Sequence, residues 1–158
     1  MWGVLTAAAF LVVAACGAER PGDRQETRSP IAYETILDET HSGLDEALSE
    51  VVHDEGRWRE LWGQIHRGAS PRPPPPPVDF SRHMLVAVAS GTRRSGGFGI
   101  AVRGVAIHEN ELEVEVLETC PAAGAMVSLA LTQPVAVVRL ERLPQTPHFR
   151  HIKSSSCP

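Results

Sequence analysis

The sequence predicts an α+β domain: a mainly antiparallel β-sheet, or a partly open barrel, with one principal helix packed on it. Three observations carry that prediction. Only one stretch has its apolar residues at helical spacing, Trp58, Leu61, Trp62 and Ile65. Several short runs, at 84–89, 111–116 and 135–140, are apolar throughout or alternate strictly, as strands do. Most of these runs are joined by short turns, which favours antiparallel neighbours. At 158 residues with a formal charge of −4, the chain suits one domain with a modest core and shows no basic patch for nucleic acid.

The chain opens on an apolar run, 2–15 (WGVLTAAAFLVVAA), with no Lys or Arg before it. The run is too short to span a bilayer as a helix and matches the apolar region of a signal peptide. It ends in Val13-Ala14-Ala15-Cys16-Gly17, which resembles the lipobox of bacterial lipoproteins. That resemblance implies a signal peptide over 1–15 and a lipid on Cys16 that anchors the protein in a membrane. An uncleaved N-terminal anchor is the alternative. Residues 16–30 are polar, contain two prolines and read as a flexible tether. The globular domain is placed at 31–152, and 153–158 form a tail. In an exported chain the two remaining cysteines, Cys120 and Cys157, form a disulfide by default, which ties that tail to the loop after the 111–118 strand.

Within the domain, 31–37 (IAYETIL) reads as a first strand and 49–53 as an edge strand, with a helix over 44–52 as the alternative. Asp54 is an N-cap, the helix runs over 55–67, and Gly68 stops it. Its two tryptophans belong to a core stripe. Residues 71–77 (PRPPPPP) are extended polyproline II, read as a stiff connector from the helix to the central strand, with a docking motif for aromatic grooves as the alternative. The segment 84–89 is apolar without alternation, the pattern of a strand buried on both faces. Residues 98–102 alternate, and the two runs around the glycine-rich stretch 90–97 (SGTRRSGG) read most simply as a β-hairpin. Glu111, Glu113 and Glu115 alternate with Leu112, Val114 and Val116, so that strand has one buried and one acidic, solvated face. Residues 120–125 form a loop, 126–131 a further strand, 135–140 a buried strand and 149–152 a last short one.

The chemistry legible in the sequence is sparse. No metal spacing, nucleophile elbow or phosphate loop is present, and the seven histidines are scattered. The expectation is therefore no enzyme, no metal and no cofactor. A dinucleotide fingerprint needs a helix after the glycines, and here a strand follows. The stretch Gly91-Thr92-Arg93-Arg94-Ser95-Gly96-Gly97 has two readings. It is a plain bulged loop, or its N–H groups and guanidinium groups meet an anion or a C-terminal carboxylate.

The order of these parts resembles the bacterial family named for the C-terminal domain of the protease complex subunit PrcB. The resembling parts are the helix with Trp58 and Leu61-Trp62, the proline connector into Asp79-Phe80 and the apolar strand. They continue with the Gly-Thr-Arg-x-Ser-Gly-Gly-aromatic segment at 91–98, the alternating strand before Pro121, and Leu131-Thr132-x-Pro134. Phe98 stands where the family usually has tyrosine, and Arg94 where proline is common. The resemblance implies a non-catalytic domain, often carried on lipoproteins, whose named member stabilises a surface protease complex. It implies as contact candidates Gly91, Thr92, Arg93, Ser95, Gly96, Gly97, Phe98, Thr132 and Pro134, to which the residues themselves add Arg94.

The expected function is a non-catalytic exported lipoprotein that binds and stabilises a partner protein at the bacterial cell envelope. Gly17 after Cys16 favours an outer membrane where the cell has one. The alternatives are an envelope small-ligand, glycan or anion binder acting through the glycine-arginine loop, and a hydrolase of a kind with no recognisable motif.

Overall fold

The structure, a computed structural model, describes residues 28–157. The signal peptide, Cys16 and all but the end of the tether lie outside the described residues. No helix among the described residues is long and apolar enough to cross a membrane.

Helix α1 (Glu55–Ile65) forms where predicted and ends two residues earlier than expected. The Asp54 carboxylate accepts a hydrogen bond from the Arg57 backbone N–H at 2.9 Å, which satisfies one orphan donor of the first turn. Trp58, Leu61, Trp62 and Ile65 are all buried. The proline run lies back along this helix. The indole Nε1 of Trp58 donates to the Pro76 carbonyl at 3.0 Å and that of Trp62 to the Pro73 carbonyl at 2.8 Å. Two periodicities meet here. Residues four apart share a face of an α-helix, and residues three apart share a face of polyproline II.

The strands form two open four-stranded sheets rather than a barrel. The inner sheet has the order β2 (Tyr33–Glu39), β7 (Val135–Glu141), β4 (His83–Ser90), β3 (Ala47–Val52), antiparallel throughout. The outer sheet has the order β1 (Ser29–Pro30), β5 (Gly99–His108), β6 (Glu111–Thr119), β8 (Pro147–Lys153), and its β6–β8 pair is parallel. The result is three layers: helix, inner sheet, outer sheet.

Side-chain alternation builds two cores from one strand pair. Leu85, Ala87, Ala89, Val135 and Val137 pack with the helix residues. Met84, Val86, Val88, Ala136, Val138 and Leu140 pack with Ile100, Val102, Leu112, Val114 and Val116 of the outer sheet. A strand covered on both faces loses its polar positions, which is why 84–89 and 135–140 are apolar without alternation.

Four expectations need correction. The runs flanking the glycine loop are not a hairpin: β4 pairs with β3 and β7, β5 with β1 and β6, so the loop crosses from one sheet to the other. Residues 126–131 are not a strand but irregular backbone. Sheet pairing begins inside the stretch read as tether, with Ser29 opposite Ile107 and Pro30 opposite Ala106.

The acidic face of β6 is not simply solvated, because β8 lies beside it. Arg150 Nε donates to Glu113 at 2.8 Å and Arg150 Nη2 also bonds Glu115, while Arg28 reaches Glu113 at 3.1 Å. The Arg150 hydrogen bond, with the Arg28 charge behind it, holds the Glu113 carboxyl below the usual carboxylate range.

Candidate functional site

The glycine loop, 90–98, crosses between the sheets and is fastened along its length. Ser90 N–H donates to the Pro134 carbonyl at 3.0 Å. Gly91, at φ +69°, presses against backbone: a Cβ there would sit 2.8 Å from Ala47 N and 2.9 Å from Asp45 O. Only glycine fits that conformation and that approach. Thr92 donates to Asp45 through its backbone at 2.9 Å and through its hydroxyl at 3.3 Å. Arg93 and Thr132 exchange both backbone hydrogen bonds, at 2.8 and 3.0 Å, as an isolated bridge. The buried Thr132 hydroxyl donates to the Ser95 carbonyl at 2.9 Å, and Gly96 N–H to the Ser128 carbonyl at 3.0 Å. Gly97, at φ +82°, lies so close to Pro121 that a Cβ would approach its ring carbon to 2.9 Å.

Most of the predicted site residues therefore act on the loop itself. Gly91, Thr92, Ser95, Gly96, Gly97, Thr132 and Pro134 fix its path, and Arg94 is exposed to solvent. Arg93 and Phe98 do something else. They line a cavity of about 370 Å³ whose wall also includes Glu118, Cys120, Pro121 and Lys153. The Arg93 guanidinium sits over the Phe98 ring, 5.6 Å from its centroid, a cation–π arrangement. Its nearest carboxylate oxygen is Glu118 Oε2 at 3.8 Å, an ion pair without a hydrogen bond. The other Glu118 oxygen is held at 2.8 Å by His151 Nδ1, and His151 Nε2 meets the Ser49 hydroxyl at 3.1 Å. That chain of contacts ties β8 to β3 across the two sheets.

Cys120 and Cys157 form a disulfide with Cα atoms 5.0 Å apart, so the tail is tied back as the sequence suggested. The bond carries the chain end to the rim of the cavity, two residues after Glu118. Beyond Cys120 runs another connection between the sheets, 120–134. Here Met126, Leu129 and Leu131 are 102%, 92% and 58% exposed.

Sequence reasoning missed Glu118, Lys153 and His151, which come together only because β8 pairs with β6. The disulfide was the available signal, since it places the residues before Cys157 beside those before Cys120. A second hollow of similar volume, lined by residues 44–48 with Gln64 and Arg67, lies between β3 and the helix end. Its arginine is already paired with Asp45 at 3.3 Å. Among the described residues no group of three or more His, Cys, Asp or Glu gathers as a metal site would require.

Residues 84–141 match the family model described as PrcB C-terminal. That segment belongs to the PrcB C-terminal family. The match spans β4, the glycine loop, β5, β6, the 120–134 connection and β7. The PrcB C-terminal segment thus contains the 90–98 and 120–134 connections and most of the cavity wall, while the helix, the proline run and β8 fall outside it. No curated protein and no solved structure matches the chain.

Proposed function

We propose that this chain is a non-catalytic binding protein that docks a partner protein on its 120–134 connection and stabilises it. It is held at a bacterial envelope membrane by lipid on Cys16. One observation carries the docking reading: Met126, Leu129 and Leu131 stand exposed together on a segment of the PrcB C-terminal domain. Large apolar side chains left exposed on one short segment of a folded surface suit an interaction site. The segment is anchored at Cys120 by the disulfide and at Ser128 and Thr132 by the glycine loop, so it presents those side chains from a fixed base. The exposed Arg94 stands two residues from Gly96, which bonds this segment. The partner surface that fits is apolar with an acidic rim. The Val13-Ala14-Ala15-Cys16 sequence supports the anchor, and the family's namesake, a protease complex subunit, supports the kind of partner.

The test is crosslinking in the native envelope followed by purification of the captured protein. Wild type should bind that purified protein and raise its thermal midpoint. The Met126→Ser/Leu129→Ser/Leu131→Ser variant should lose both effects while keeping its own midpoint. Equal binding by the variant would sink the reading.

A further inference from the structure

We propose that the cavity between the glycine loop and the disulfide is a binding site for a carboxylate carried on an apolar group. The body would lie against Phe98 and Pro121, and the carboxylate would meet Arg93. The first argument is the state of the Arg93 side chain. It is 35% exposed and its Nε is buried without a hydrogen-bond partner. Among the described residues its guanidinium makes no hydrogen bond at all, only the 3.8 Å pair with Glu118 and the contact with Phe98. A guanidinium brings five N–H donors in a rigid planar fork, and a partly buried one with unmet donors is poised for a planar, bidentate acceptor.

The second argument is the wall. Phe98 and Pro121 offer an apolar surface beside the cation, and about 370 Å³ accommodates a group the size of a large side chain. The third is selectivity by charge. Glu118 lines the same cavity and is only partly answered by Arg93, since its other oxygen is committed to His151. With Arg93 and Lys153 in the same wall, the lining carries two cations against one carboxylate, a balance that one entering carboxylate neutralises. Such a carboxylate comes from a peptide C-terminus or from a small free acid, and the chemistry at Arg93 is the same for both. The inference is independent of the docking reading, which uses the exposed side chains of 120–134.

Titration calorimetry on the full chain would use three probes: 3-phenylpropionate, the peptide acetyl-Ala-Ala-Phe with a free carboxylate, and the same peptide as its amide. At least one acid should bind, with the amide at least about tenfold weaker, as expected when a charge-assisted hydrogen bond is lost. The tighter acid identifies the source. The Arg93 Nε–H resonance should move with the acid and stay in place with the amide. Arg93→Gln should lose the acid preference, Arg93→Lys should recover part of it, and Arg59→Gln on the far helix should match wild type. Equal affinity for acid and amide, no binding of either acid at millimolar concentration, or a folded Arg93→Gln variant that binds as wild type would each overturn the proposal. The acid–amide comparison in wild type decides the matter even if Arg93→Gln fails to fold.

Discussion

Two of the connections that cross between the sheets, 90–98 and 120–134, share one end of the molecule and solve the crossing in opposite ways. The glycine loop ties its backbone down at several points: to Asp45 just before β3, to Thr132, to Ser128 and to Pro134. Apart from Phe98, its side chains are small or charged. The later connection is fastened at Cys120, Ser128 and Thr132, and between those points it turns Met126, Leu129 and Leu131 to solvent. One loop spends its sequence on path, the other on surface. A residue type that supports the first should therefore be costly to change, and one that supplies the second should be free to change as far as folding is concerned.

Three changes separate the two. The largest effect should come from Cys120→Ser/Cys157→Ser. With the cysteines 37 positions apart, chain-entropy arguments predict a loss of about 4 kcal/mol, read as a lower denaturant midpoint. The next comes from a matched pair of glycines, both at positive φ. Gly91→Ala adds a backbone clash to the strained dihedral and should cost roughly 2–3 kcal/mol. Gly124→Ala, at φ +78° with nothing within 4 Å of the new Cβ, should cost only about 1 kcal/mol. Equal costs in parallel thermal melts would break the contrast between a fastened and an open loop. The smallest is Thr132→Val, which removes the hydroxyl bond to Ser95 and should cost about 1 kcal/mol, with amide exchange rising at 95–97 rather than at 126–131.

Local rules made part of this legible in the sequence. The helix, its Asp54 cap and the doubly covered strands follow from spacing and hydrophobicity, which depend on neighbours along the chain. The disulfide followed from counting cysteines. The β4–β5 hairpin was misread because a turn sequence says where a chain can bend, not which sheet it rejoins. The stretch 126–131 was misread as a strand for a related reason. Its Met, Val and Leu have the composition of a buried run, but no strand pairs with it, so the side chains are left outside. The cavity was hidden because Glu118 and Lys153 of its wall meet only through the parallel β6–β8 pairing, which brings them together from distant positions.

The proline run teaches something about length. Pro73 and Pro76 accept from Trp62 and Trp58, so the connector is read against the helix as a ruler is read against a gear. Ring-locked backbone advances one turn every three residues. A single proline added between the two acceptors would swing one carbonyl a third of a turn away from its indole. Adding three would restore its direction but carry it about 9 Å along the helix, past any second tryptophan. The spacing between those two carbonyls is thus fixed as a whole number, and the connector measures out the helix it covers.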